Sequence, residues 1–188
     1  GSLNTLNMCV GSCDADKAAR IAEYIGDVLL LPDVVGLQEV GNDVGANTLA
    51  TRLNTDYDTD YVAHSFVPPS GNGIRVAFLV RPSRVDVIRV RELQADLTIT
   101  QCSGTPPCPL HDRPPLLLEG DFIGGDGERF AVMNNHTRSL IGINEPGDEG
   151  TRVRFKRFEQ GKAIAQLVQR FQNGEELDPN NPIGDTAT

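Results

Sequence analysis

Three apolar runs in this chain end in side chains that can do chemistry. The run "TLNM" carries Asn7, "PDVVGLQEV" carries Glu39, and "FAVMNNH" ends in Asn134, Asn135 and His136. A single carboxylate with an amide and water ligands suits Mg²⁺, which keeps several waters and also binds substrate phosphate. An imidazole beside it could hydrogen-bond or protonate a phosphoryl oxygen. In sheet-based α/β folds ligands tend to bind beyond the carboxyl ends of strands. The expectation is therefore that an amide, an acid and an imidazole meet around one cavity. Each residue also has a plainer reading: Asn7 as a sheet-edge residue, Glu39 as the point where a strand meets solvent, and His136 as a satisfied core histidine.

Three arginines, Arg75, Arg81 and Arg113, are candidates for steering phosphate, Arg113 first because it opens "RPPL". Their plainer reading is a solvated strand edge. His64 and His111 carry no assigned role, and Tyr57 and Tyr61 read as packing residues. Aromatics make up 5% of the chain, too few for a stacking platform on single strands.

These side chains need a scaffold. In "LNTLNMCV" Leu6, Met8 and Val10 alternate with Thr5, Asn7 and Cys9, which predicts a strand. "DADKAARIAEYIGDVLL" has helical spacing with Asp14 as N-cap. With the apolar run ending at Gln38-Glu39 it forms a strand–helix–strand unit, which predicts parallel pairing. A short helix, "ANTLATRLN", and strands at "DYVAHSFV", "GIRVAFLVRP" and "VDVIRVREL" follow. A Pro-rich loop occupies about 101–112. "PPLLLEGDF" and "RFAVMNNH" predict a hairpin across "IGGDGE". The longest helix is "RVRFKRFEQGKAIAQLVQRFQ", with Phe155, Phe158, Ile164, Val168 and Phe171 along one side. The class is sheet-based α/β with helices outside. Residues 3–173 read as one domain and 174–188 as a polar tail or truncated end.

The bulk properties narrow the partners. With 188 residues the chain can bury a real core. Its net charge of -9 argues against coating nucleic acid nonspecifically, which relies on basic side chains. It leaves open an enzyme that meets phosphate through a bound cation. There is no apolar run of membrane-spanning length. The four cysteines fall in two close pairs, Cys9/Cys13 and Cys102/Cys108. A Cys102–Cys108 disulfide around the turn "SGTPP" would stabilise by roughly 2 kcal/mol; four buried thiols are the alternative. A bonded pair implies a secreted or periplasmic protein.

Taken together, "TLNM", "PDVVGLQEV", "GIRVAFLVRPSRV", "RPPLLLE" and "AVMNNHTRS" resemble, in this order, the endonuclease/exonuclease/phosphatase superfamily, closest to its secreted bacterial nuclease-like branch. The resemblance runs from about Leu3 to Phe171. It implies a four-layer α/β sandwich, two packed mixed sheets flanked by helices, possibly shortened in the second sheet. It implies Mg²⁺ or Mn²⁺ held by Glu39 and supported by Asn7, with the Asn-x-His motif on Asn134 and His136 and the histidine at the scissile phosphate. Asn135, Arg75 and Arg113 fall to phosphate or substrate binding.

The chain departs from the pattern at its C-terminal end. It has no Ser-Asp-His, and Gly184-Asp185 is followed by Ala187 where the family has Asn, so Asp185 reads as a remnant or a coincidence. The Asp-His pair that activates water in the family is thus missing, a contribution of ~10²–10⁴ in rate. The expected function is a divalent-metal-dependent phosphodiester hydrolase, a secreted nuclease or a shortened member of that family, acting on nucleic acid or another phosphodiester. The alternatives are an inactive binding module on the same fold, or a phosphomonoesterase or phospholipid head-group phosphodiesterase. An exposed sheet edge would call for a homo-oligomer or a swapped partner to cover it.

Overall fold

A computed structural model of the chain describes residues 1–9, 12–66, 73–102, 105–125, 127–175 and 177. Strand β1 (Ser2–Met8) leads through helix α1 (Ala15–Glu23) to β2 (Val34–Gly41), which pairs with β1 in parallel as the strand–helix–strand spacing requires. The Asp14 carboxylate caps α1 by accepting from the Asp16 and Lys17 amides at 3.0 and 3.1 Å. One π-helical turn, Tyr24–Val28, follows. Helix α2 (Asn42–Tyr57) stops at Asp58 in the left-handed region and leads to β3 (Val62–Ser65) and β4 (Ile74–Val80). The first sheet has the order β1-β2-β4-β3 and is mixed.

The second sheet joins β5 (Val85–Glu92), β8 (Leu116–Phe122) and β9 (Arg129–Asn134), antiparallel throughout. A small pair, β6 (Thr98–Ile99) and β7 (Cys108–Pro109), lies in the loop between β5 and β8. The β8–β9 hairpin is the one expected, with Gly124 and Gly127 at positive φ in its turn. Helix α3 (Asp148–Gln172) comes last.

Alternation along β4 explains the layering. Ala77 and Leu79 face α1 and α2 together with Val35, Leu37, Leu49 and Leu53. Val76, Phe78 and Val80 face the second sheet and meet Val85, Leu116 and Leu118. The triple leucine of β8 is buried on both sides, because Leu117 turns outward against Leu93 and Leu167 of α3. The layers thus run helices, sheet, sheet, helix. Leu177 packs into the same outer cluster, so the chain returns to the second sheet just beyond residue 173.

Two periodicities differ from expectation. In β1 Leu6 is 68% exposed while Thr5 and Met8 are buried. Leu6 and Asn7 both have positive φ, and the register with β2 breaks between Asn4 and Met8, so the period of two is interrupted. Val10, the third residue of the expected face, lies outside the described residues. In α3 the buried positions are Gly150, Val153, Lys156, Gln160, Ala163 and Leu167, whereas Phe158, Val168 and Phe171 are exposed. The buried stripe is rotated from the aromatic one because two polar side chains, Lys156 and Gln160, find partners inside.

Candidate active site

The acid of the site stands on a β-bulge. Glu39 has φ +58, and the registers of β2 with β1 and with β4 both shift around it. A non-glycine residue in this region persists where neighbours over-determine it. Here the hydroxyl of buried Thr5 reaches the carbonyl oxygens of Gln38 and Glu39, 2.9 Å from each. The Asn4 amide donates to Glu39 Oε1 at 3.1 Å. The irregular stretch of β1 is what brings Asn4 and Thr5 over the bulge.

The end of β9 lies against the same place. Asn134 is buried, and its Nδ2 donates to the carbonyls of Leu37 and Ala77 at 2.9 and 3.0 Å. Its Oδ1 accepts from Gln38 Nε2 at 2.5 Å. This side chain therefore bolts β9 of one sheet to β2 and β4 of the other. Two residues on, His136 Nε2 is 3.6 Å from Glu39 Oε1. Burial first, and then the charge of Arg113, push the imidazole below its usual pKa, while Glu39 pulls it up. That favours the neutral imidazole, which has one N–H to give and one lone pair to accept with.

Glu39 and His136 open into a cavity of about 430 Å³, whose wall includes Ser2, Asn135, Thr137, Arg138 and Arg157. A larger hollow of about 600 Å³ runs along α2, but the charged groups in its wall, Arg52 and Asp56, pair with each other.

Helix α3 holds the segment after His136. Gln160 accepts the Arg138 amide at 2.8 Å and donates to the Leu110 carbonyl at 3.0 Å. The Arg157 guanidinium donates to the Arg138 carbonyl and lies 3.5 Å from Thr137 Oγ1. Lys156 donates to Asp112 at 2.6 Å, beside Arg113. Helix α3 thus fixes the segment that brings Arg138 to the cavity wall and the loop just before Arg113. Sequence reading missed Asn4, Thr5, Arg138, Arg157 and Gln160. A signal existed in Gln160 and Lys156, polar residues at the core spacing of an amphipathic helix.

The remaining expected residues separate. Arg113 is half-buried; burial lowers its pKa, and its charge acts on Glu39, His136 and Arg138. Arg75 is buried near the start of β4, opposite Val40, and its charge acts on Glu92. Burial pushes Glu92 up to about 7 although Arg75 pulls it down. Asn7 is exposed, and it is Asn4 rather than Asn7 that hydrogen-bonds Glu39. Asp185 lies outside the described residues. Cys102 and Cys108 pair across a Cα separation of 6.2 Å, and Cys9 and Cys13 pair as well, so the described residues include no free thiol.

The side chains fit a hard cation. Glu39 supplies a carboxylate and Asn135 a buried Oδ1 without a partner, while Asn4, whose Oδ1 accepts the Leu6 amide at 2.8 Å, orients Glu39 through its Nδ2. The described residues hold no cluster of three His, Cys, Asp or Glu, so a cation here would keep several waters, as Mg²⁺ does.

The model of the Endonuclease/Exonuclease/phosphatase family matches residues 4–169. None of the curated proteins is similar to the chain by sequence. Among solved structures, Danio rerio TDP2 humanized by 14 mutations superimposes with a TM-score of 0.55 at 19% identity over 89% of this chain and 54% of its own. A β-hairpin deletion mutant of β toxin from Staphylococcus aureus gives 0.53 at 14% identity over 90% and 60%. The human Nocturnin catalytic domain with bound sulfate gives 0.50 at 18% over 91% and 57%. These likenesses show the fold, and the chain spans a little over half the length of each structure.

Proposed function

Because the chain belongs to the endonuclease/exonuclease/phosphatase family, we propose that it is a divalent-metal-dependent phosphodiester hydrolase of the secreted nuclease type. The observation that carries this reading is the meeting of Glu39 and His136, from different sheets, at 3.6 Å in one polar cavity. Glu39, with water, would hold Mg²⁺ or Mn²⁺, its carboxylate oriented by the Asn4 amide. Such a cation, when bound, offsets charge on the phosphoryl oxygens and on the leaving group. The original assignment of Asn7 to this cation has less support, because its side chain is not the one beside Glu39.

The chain's own residues do the rest. His136 gives an N–H to a phosphoryl oxygen as water attacks phosphorus in line; the P–O bond opposite the water breaks, the attacking water loses its proton to solvent and the departing oxygen takes one up from solvent. Asn135 and Arg113 receive the phosphate. Asn134 acts by positioning, since both ends of its amide are engaged in holding the sheets together. Arg75 is buried and its charge acts on Glu92, so its support as a phosphate ligand is correspondingly weaker. The paired cysteines favour a secreted or periplasmic setting. No helix among the described residues is long and apolar enough to cross a membrane. The edges of β1 and β9 carry no further strand among the described residues, and a second copy or a swapped segment is the natural cover for them.

The absence of Ser-Asp-His from the sequence favours a second reading, an inactive binding module. Nicking of supercoiled plasmid with Mg²⁺ or Mn²⁺ separates the two. A hydrolase nicks, and Glu39→Ala or His136→Ala slows it about a hundredfold or more. A binding module shows no metal-dependent nicking.

A further inference from the structure

A hollow of about 520 Å³ lies between β1, the edge strand of the first sheet, and α1. It shares no wall residue with the Glu39–His136 cavity. Leu3 and Leu6 come from the strand. Lys17, Ile21 and Tyr24 follow one another at helical spacing along one flank of α1 and into the π turn, with Arg20 beside them. Ala18, Ala22 and Ile25 face the core, while Tyr24 stays 43% exposed on this flank.

Leu6 is the unusual part of the wall. Its φ of +49 is a conformation that costs a leucine free energy. Its side chain is 68% exposed, so burial returns nothing for that cost. The backbone is held from within the chain: the Leu6 amide donates to Asn4 Oδ1 at 2.8 Å, and Lys17 Nζ donates to the Leu6 carbonyl. Strain that neighbours maintain at such a point is a mark of function. With both backbone groups of Leu6 engaged, the hollow offers an incoming molecule side chains there, not strand hydrogen bonds.

The charge on this wall is as uneven as its shape. Arg20 makes no hydrogen bond or ion pair among the described residues, and Lys17 makes no ion pair. A guanidinium stays charged at any ordinary pH. The chain as a whole is at -9, so two cations over an aliphatic wall are a local feature. Leu3, Leu6 and Ile21 suit an alkyl chain, and Arg20 with Lys17 suits one negative head. The volume is in the range of small-molecule sites. An anionic bilayer fits less well, because the net charge of the chain opposes it.

We propose that this hollow binds a free single-chain anionic amphiphile, a long-chain carboxylate, with its head at Arg20 and its tail along Leu3, Leu6 and Ile21. The site stands apart from the reading of Glu39 and His136 as a hydrolytic centre and does not depend on it.

Displacement of dansyl undecanoate, followed by its fluorescence, tests the site. The competitors are hexanoate, decanoate, dodecanoate and dodecanol, each below its micelle concentration. Affinity should rise from hexanoate to dodecanoate by up to about fourfold per methylene. Arg20→Gln should weaken dodecanoate about fivefold at low salt, less at high salt, and leave dodecanol unchanged. Leu6→Asn should weaken both about fivefold. It should not lower the unfolding midpoint, because asparagine takes the left-handed conformation more readily than leucine.

No displacement, or the same affinity for every chain length, overturns the site. Equal loss of dodecanoate and dodecanol in Arg20→Gln overturns the anionic head. Loss in Arg52→Gln with none in Arg20→Gln moves binding to the hollow along α2 and overturns it as well. So does co-sedimentation with phosphatidylcholine–phosphatidylglycerol vesicles that needs Leu6 and Arg20, which would make this face a membrane surface.

Discussion

Replacing Asn134 with alanine should cost stability before it costs chemistry. The side chain is 5% exposed and makes three hydrogen bonds across the sheet interface: to the Leu37 and Ala77 carbonyls and from Gln38. Alanine removes all three and leaves two carbonyl oxygens and an amide to find other partners. A buried polar group left unsatisfied costs about 1–3 kcal/mol. Water reaching the half-buried Gln38 would relieve part of this, so the expected loss is about 3–4 kcal/mol. That is a large share of the roughly 5–15 kcal/mol typical of a whole domain. The assay is urea unfolding followed by circular dichroism, where the midpoint falls and the slope stays the same. Asn134→Asp should be at least as damaging, because a carboxylate would face two carbonyl oxygens. A loss under about 1 kcal/mol, together with abolished hydrolysis, would refute the positioning role and return Asn134 to direct chemistry.

Two further outcomes follow from neighbouring geometry. A Cβ added at Gly36 would lie 3.3 Å from Asn134 Cγ, so Gly36→Ala should lower the unfolding midpoint by pressing on the same bolt; an unchanged midpoint would show that the side chain gives way freely. His111, 3% exposed and 3.0 Å from Gln94 Oε1, has its pKa pushed from 6.5 to about 4, by burial first and then by Lys156. Between those values the unfolded chain binds a proton that the native one does not. Stability is therefore complete above pH 6.5 and falls as pH drops toward about 4, by up to about 3 kcal/mol. His111→Gln should flatten the unfolding midpoint over that window, and an undiminished slope would place the titrating group elsewhere.

The layers and the main convergence were legible because they rest on local rules. Asp14 caps α1 through its own carboxylate, the hairpin glycines sit at positive φ, and the spacing of β1, α1 and β2 requires a parallel pair. Glu39 and His136 could be named because each follows an apolar strand. What the sequence hid depends on backbone that breaks its period. Alternation puts Asn4 and Thr5 on opposite faces, yet both reach β2 at the bulge, and no pattern in "LNTLNM" announces the left-handed turn at Leu6 and Asn7. The aromatic stripe of α3 misled for a related reason: tertiary partners for Lys156 and Gln160 outweighed the burial of Phe158. Arg138 looked like one more surface arginine, because its place in the cavity wall is a fact of three dimensions only.

The account depends on Glu39 as the seat of a cation, and a Mn²⁺ titration followed by electron paramagnetic resonance addresses that most directly. The wild-type chain should take up Mn²⁺ at a site that Mg²⁺ competes for, and Glu39→Gln, which keeps the shape and removes the charge, should abolish that uptake while the chain stays folded. Mn²⁺ binding of the same strength in Glu39→Gln, or none in the wild type, would contradict it.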